Sequence, residues 1–347
     1  MNPQIAYAGP GKAYLGTSGF QPDGVNGPVT YAIEEKTTVR AASEAGEMFE
    51  TLDDQTGKIT TVPFDNWLLL PVLFPKYLGV TTAAGTGNGA GALAIGLDPS
   101  NPTNAQPAVN TPCGVVGEDG TQFPFLRGFI SKHPTLTLLP GSPLYSQIEL
   151  TALGVNGVYP GQPGFLVPGN TLVESGGVDP DAVGFGVADY GQTHWSLDPA
   201  VGWGTVFGAA EGEDGIQIVP DIKYNIVTVQ KVSRVVRLAS VRFMAKMRLA
   251  SPNAGSASTL VGKVLGHTSG GVLSQGTLAG GGNPLDLKIN GSNGKTIRLV
   301  NTDIKGAPFT FGGTKLRFDE IAFVTTVIPQ AVPGQLSTYP PSLIFSA

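Results

Sequence analysis

The chain has 347 residues and a formal net charge of -5, and it contains 49 glycines and 28 prolines. An internal glycine lowers the stability of a helix by about 1 kcal/mol and an internal proline lowers it by about 3 kcal/mol. Glycine and proline at this frequency therefore exclude a helical bundle or solenoid. A hydrophobic content of 41% excludes global disorder, which requires low hydrophobicity and high net charge. The excess of acidic residues disfavours tight binding to nucleic-acid phosphates. The composition therefore predicts an all-β fold with long loops.

Composition also divides the chain into a β core in two parts, with segments rich in glycine and proline before, between and after them. The predicted segments are an extended N-terminal arm (1–28), the first part of the core (29–153, with a loop insertion at 81–122), a loop-rich insertion (154–215), the second part of the core (216–330) and a C-terminal tail (331–347).

The first part of the core begins with β-branched and apolar runs. Residues 29–33, 37–42 and 58–62 predict three short strands, with 54–57 as a turn before the third. An apolar helix follows over 67–70, capped by Asp65 or Asn66 and ended by Pro75. Its apolar composition predicts that it packs onto a sheet.

Later runs predict two hairpins and two further strands. Residues 134–138 and 147–153 flank a turn at 141–143, and 285–289 and 296–300 flank a loop of residues that tolerate positive φ. The strongest period of two covers 239–249, where Ala239, Val241 and Phe243 begin an apolar face. A last strand is predicted at 316–327.

Residues able to do chemistry are few. His133, His194 and His267 have no second ligand at metal-binding spacing, so we expect no catalytic residue, no metal and no cofactor. The lone Cys113 cannot form an intrachain disulfide and is expected to be a buried or bystander thiol. No secretory signal is evident at the start, and the longest apolar run, 67–74, is far shorter than the roughly 20 residues that span a bilayer, so no membrane association is expected.

Two charged segments are candidate interaction sites. Glu44, Glu47 and Glu50 belong to an acidic run, which we interpret as a solvated loop between strands. The basic residues of 231–248 include Arg242, Lys246 and Arg248, with no acidic residue among them. On a strand they form one charged face, which meets either solvent or an acidic surface on a neighbouring copy.

Several spaced segments resemble the major tail tube proteins of long-tailed bacteriophages. They are 44–47, 55–61, 67–75, 148–154 and 312–321. The resemblance implies a β-sandwich with one short flanking helix, six copies in each ring, and stacked rings around a channel through which DNA passes without tight binding. It also implies an acidic channel, carried onto Glu44, Glu47 and Glu50, and no catalytic residues. The implied partners are further copies of the chain and other tail proteins, in a virion tail assembled in the host cytoplasm. The insertions at 81–122 and 154–215 depart from small tube subunits.

Two other functions remain open at this point. One is a capsid or decoration protein of a virion. The other is a β-sandwich carbohydrate-binding protein or glycosidase, in which Tyr190, Trp195 and Trp203 serve as stacking platforms for sugars.

Overall fold

The computed structural model of the chain confirms the all-β prediction, because strands make up 78% of the part described and helix 2%. It describes residues 12–16, 18–20, 29–41, 48–61, 63–64, 70–74, 93–95, 111–117, 122–139, 142–153, 193–196, 205–207, 215–229, 233–247, 285–290, 295–305, 309–312, 315–318, 320–325 and 343–345.

The elements follow one another along the chain as strands with a single short helix among them. They are β1 (Lys12–Leu15), β2 (Ser18–Phe20), β3 (Thr30–Ala41), β4 (Met48–Thr60), α1 (Leu70–Leu73), β5 (Leu93–Ile95), β6 (Thr111–Val116), β7 (Gln122–Lys132), β8 (Leu136–Leu138), β9 (Glu149–Leu153), β10 (Thr193–Ser196), β11 (Thr205–Phe207), β12 (Ile216–Val229), β13 (Ser233–Met247), β14 (Leu285–Asn290), β15 (Thr296–Lys305), β16 (Phe309–Gly312), β17 (Lys315–Phe318), β18 (Ile321–Thr325) and β19 (Leu343–Phe345).

Two large antiparallel sheets contain most of these strands. The first sheet has seven strands in the order β2-β1-β6-β7-β9-β4-β3. The second has ten strands, with the path β11-β10-β14-β15-β18-β13-β12-β8; in addition, β19 pairs with β15, and β5 pairs with β19. The short strands β16 and β17 pair with each other.

One hydrophobic cluster joins the two sheets and the helix. Ile59 and Phe125 enter it from the first sheet, Ile218 and Phe243 from the second, and Leu73 from α1. The helix α1 covers Leu70–Leu73, whereas 67–70 was predicted, and 67–69 lie outside the described residues. The buried side chains of Leu70 and Leu73 confirm that a short apolar helix packs onto the core. Burial of apolar surface at about 25 cal/mol per Å² makes this shared cluster the main stabilising contribution to the fold.

The predicted alternation along β13 is correct from Val241 onward. Val241, Phe243 and Met247 are buried, whereas Arg242 is exposed. Ala239, predicted on the apolar face, is instead exposed because the pairing with β12 shifts register between Lys223 and Tyr224. A bulge of this kind adds one residue to one strand. The buried residues of β13 therefore have even numbers before the bulge (Val236, Leu238) and odd numbers after it (Val241, Phe243, Met247).

Two long hairpins extend beyond the sheets that hold them. β3 pairs with β4 along its whole length, but β4 pairs with β9 only at residues 56–60. β12 pairs with β13 along its whole length, but with β8 only at 216–218. In the part of the chain that the structure describes, the distal half of each hairpin therefore has strand partners only within the hairpin.

Burial along β12 shows how its hairpin leaves the core. Ile216 and Ile218 are fully buried, Ile222 is half-buried, and Ile226, on the same side of the strand, is 50% exposed. The exposure is on the β12 side of the hairpin, because Val236, which pairs with Ile226 in β13, is fully buried and Leu238 is 5% exposed.

Several local predictions near β4 are wrong. The two runs at 29–33 and 37–42 belong to the single strand β3, and the turn predicted at 54–57 lies inside β4. Glycine is needed there for packing, because a Cβ on Gly57 would overlap the ring of Phe125. Glu50 lies in a strand, whereas an acidic loop was expected.

The hairpin predicted over 134–153 is also wrong, although both of its strands exist. β8 pairs with β12 in the second sheet, and β9 pairs with β4 and β7 in the first. The predicted hairpin at 285–300 is confirmed by the pairing of β14 with β15. The predicted strand at 316–327 is divided into β17 and β18, which belong to different sheets.

The segments rich in glycine and proline contribute strands that composition did not predict. β1 and β2 lie in the predicted arm, β5 and β6 in the insertion 81–122, β10 and β11 in 154–215, and β19 in the tail. Leu343 and Phe345 of β19 are fully buried. Strands of three or four residues are too short for periodicity to be recognised, and their burial depends on distant partners.

Candidate functional site

A polar junction lies where α1 and the two sheets meet. His133, just after β7, forms one hydrogen bond with the carbonyl oxygen of Leu73 in α1 at 2.6 Å and another with the hydroxyl of Tyr224 in β12. The rings of Phe74 and Tyr224 lie nearly parallel to the imidazole, each with its centroid 5.7 Å from that of His133. Phe74 also contacts Phe243 edge-on. The junction thus attaches the middle of β12 to α1 and to the end of β7.

The hydrogen bonds determine the protonation of this histidine. Because a carbonyl oxygen only accepts, Nδ1 of His133 carries the hydrogen and donates it to Leu73. Nε2 of the neutral ring then accepts from the Tyr224 hydroxyl. Burial lowers the pKa of His133 to about 4, although the bond to Leu73 opposes this shift. A neutral imidazole with both nitrogens engaged is suited to joining elements, and no carboxylate orients it as a general base.

A second polar group was not evident in the sequence. Thr151 Oγ1 donates to Ser131 Oγ at 2.6 Å, and Ser131 Oγ donates to the carboxylate of Glu149 at 2.8 Å. Ser131 sits where the pairing of β7 with β9 is irregular. These two hydrogen bonds satisfy the hydroxyl groups of Thr151 and Ser131 at the bulge, which gives Ser131 a structural role. A serine in a strand gives no sequence signal for such a role.

The structure describes only one of the three predicted channel residues. Glu50 lies in β4 opposite Val39 of β3, and Glu44 and Glu47 fall outside the described residues. Near the base of the same hairpin, Lys58 and Glu34 form an ion pair, with Nζ of Lys58 2.9 Å from Oε1 of Glu34. This hydrogen bond raises the pKa of Lys58.

The predicted basic strand is partly neutralised within the chain. Nζ of Lys246 lies 3.7 Å from the carboxylate of Glu320. Arg242 is exposed and lies opposite Asp221, which itself pairs with Lys223 at 3.7 Å. Arg248 falls outside the described residues. The face is therefore mixed near the core, and Arg242 is its most accessible basic residue among those whose side chains are described.

Cys113 is buried in β6, as predicted. Burial raises the pKa of its thiol to about 12. Since the thiolate is the reactive form, this thiol is inert at neutral pH. Gly128 on the neighbouring strand provides the space that the sulfur occupies.

The residues proposed for sugar stacking are only partly described. Trp195 lies in β10 opposite Leu287 of β14, whose side chain is fully buried. Tyr190 and Trp203 fall outside the described residues, as does His267. His194 lies in β10 opposite Lys288.

Over the ranges that the structure describes, no group of three or more His, Cys, Asp or Glu side chains is arranged to hold a metal ion. In those ranges, no helix has the length and apolar character needed to cross a membrane.

No protein-family model matches the chain, and a search of curated proteins finds no significant match.

Proposed function

We propose that the chain is a structural virion protein whose copies form stacked rings of a phage tail tube. One observation carries the proposal: a long hairpin extends from each sheet, and in the described part of the chain its distal half has no strand partner outside the hairpin itself. Strand edges of this kind recruit further strands, and a self-assembling subunit uses them to bind its neighbours. The resemblance of the spaced segments to tail tube proteins supports the same function.

Charge supports the proposed passage of DNA. A tube that guides DNA without holding it must not attract phosphates, and the chain has a net charge of -5. The proposed role requires no catalysis and no cofactor. Other tail proteins would bind the ends of the tube, and assembly would take place in the host cytoplasm.

Electron microscopy of the purified protein tests this function. At several salt and protein concentrations, we expect negatively stained hollow tubes of uniform diameter. Dispersed monomers under every condition would refute the proposal, and closed shells would favour a capsid or decoration protein. Glycan-array binding that is lost in Trp195→Ala would favour the carbohydrate-binding alternative.

A further inference from the structure

The two long hairpins carry opposite charge. Residues 30–60, which form the β3–β4 hairpin, contain seven acidic and three basic side chains, and we name this the acidic hairpin. Residues 216–247, which form the β12–β13 hairpin, contain one acidic and six basic side chains, and we name this the basic hairpin. The contrast is local, since the whole chain is weakly acidic.

Both hairpins are also exposed in the same way. β3 is the last strand of the first sheet, and β12 beyond residue 218 has no second strand neighbour among the described residues. Each hairpin carries one of the two large hydrophobic side chains found exposed in the described part of the chain. They are Ile33, 41% exposed, and Ile226, 50% exposed. An apolar side chain beside a free strand edge fits a protein interface.

The ion pairs described in these hairpins preserve the contrast in charge. Lys58 pairs with Glu34 inside the acidic hairpin and Lys223 pairs with Asp221 inside the basic hairpin, so neither pair changes the net charge of its hairpin. Lys246 of the basic hairpin pairs with Glu320 outside it, and this pair neutralises one positive charge. The excess charges of both hairpins thus remain available to a partner.

From these observations we infer that the acidic hairpin of one copy docks against the basic hairpin of the next. The inference rests on the proposed function in requiring that copies of the chain assemble. The contact joins two different surfaces, so it is heterologous, and repeating it generates a ring or an open helix. Charge complementarity selects the partner surface and speeds encounter, and Ile33 and Ile226 add apolar contact area.

This interface gives Glu50 a role different from the channel lining that the resemblance implies. As part of the acidic hairpin, Glu50 would contribute to subunit contact. The two roles separate experimentally, because a channel residue can be reversed without loss of assembly, whereas an interface residue cannot.

Charge reversal and reciprocal rescue test the interface. One variant carries Arg237→Glu and Arg242→Glu, and a second carries Glu35→Lys and Glu50→Lys. A control carries Lys12→Glu and Lys132→Glu, two exposed residues outside both hairpins. Sedimentation velocity measures assembly, and thermal unfolding checks that each variant is folded.

Each reversed variant should stay unassembled at concentrations at least tenfold above those at which the wild type assembles. An equimolar mixture of the two should assemble, because the unaltered acidic hairpin of the first variant meets the unaltered basic hairpin of the second. At the alternate contact, the introduced Glu side chains of the first variant meet the introduced Lys side chains of the second. The control should assemble like the wild type.

Assembly of either folded reversed variant like the wild type would overturn the interface. Tubes formed by such variants would leave the proposed function intact. Conversely, reciprocal rescue of a closed oligomer that is not a tube would support the interface and overturn the tail tube function.

Discussion

Tyr224 of the second sheet donates its hydroxyl hydrogen to Nε2 of His133, which follows a strand of the first sheet. The two residues are 91 positions apart in sequence. Their bond lies next to the bulge at Lys223 and Tyr224, where the basic hairpin changes register. The middle of that hairpin is therefore attached to the first sheet and to α1 by one imidazole.

Removing the Tyr224 hydroxyl should destabilise the fold. Tyr224→Phe leaves Nε2 of His133 without its donor, and an unsatisfied buried polar group costs about 1–3 kcal/mol. Urea denaturation measures the change in the free energy of unfolding.

Tyr31→Phe is the matched control for this substitution. Its hydroxyl is buried with no hydrogen-bond partner among the described residues, while its ring stacks on Phe125 at 4.7 Å. Because a buried hydroxyl without a hydrogen bond destabilises the folded state, its removal should leave the free energy of unfolding unchanged or raise it by up to about 1 kcal/mol. Equal losses in the two variants would contradict the role of the Tyr224 bond.

Stability should decrease as the pH falls from about 6.5 to about 4. Burial lowers the pKa of His133 to about 4 in the folded state, so within this window the unfolded chain binds a proton that the folded chain does not. The full effect is on the order of 3 kcal/mol, gained as pH rises through the window and lost as it falls.

The pH dependence is measured by urea denaturation at a series of pH values. His133→Gln cannot titrate, so its free energy of unfolding should fall less steeply than that of the wild type over the same window. Its absolute stability at neutral pH should be lower, because the bonds to Leu73 and Tyr224 are weakened. Parallel pH profiles for the two proteins would contradict the assignment to His133.

Local features of the fold were predictable because they depend on neighbouring residues. The β14–β15 hairpin follows from a loop of Asn, Gly and Ser between apolar runs. The alternation from Val241 onward follows from one buried face of β13. The apolar character of α1 likewise predicted its packing, and the surroundings of Cys113 favoured a bystander thiol.

Features that depend on distant partners were not predictable. Leu136 of β8 bridges to Tyr145, which follows nine residues later, yet the strand partner of β8 is β12. The sequence around Gly57 indicates a turn, whereas glycine is required there because the ring of Phe125 packs against its backbone. The His133 junction depends on Tyr224, and nothing near either residue in sequence indicates the other. These partners are determined by packing between residues that are far apart in sequence, and a single sequence does not show which distant residues pack together.

Gly57→Ala should destabilise the first sheet. The added methyl would overlap the Phe125 ring, which is fully enclosed and stacked on Tyr31. Overpacking of a filled core costs about 1–3 kcal/mol. The measurement is again the free energy of unfolding in urea.

A double-mutant cycle with Phe125→Leu isolates this overlap. The smaller leucine leaves room for the methyl, so Gly57→Ala should cost less in the Phe125→Leu protein than in the wild type. The same cost in both backgrounds would assign the loss to strand backbone effects instead of to the ring.

Ile226→Ser should reduce self-assembly with little effect on the stability of the monomer. Ile226 is 50% exposed on the basic hairpin, so its replacement should change the free energy of unfolding by less than about 1 kcal/mol. Ile218→Ser on the same side of β12 is the control, since that side chain is fully buried and its loss should cost about 2–4 kcal/mol.

Sedimentation velocity and urea denaturation of both variants distinguish an interface role from a folding role. If Ile226 contacts a neighbouring copy, its serine variant unfolds like the wild type but needs a higher protein concentration to assemble. Wild-type assembly by Ile226→Ser would exclude this side chain from the subunit contact. A loss of stability as large as that of Ile218→Ser would instead show that Ile226 is covered within its own chain.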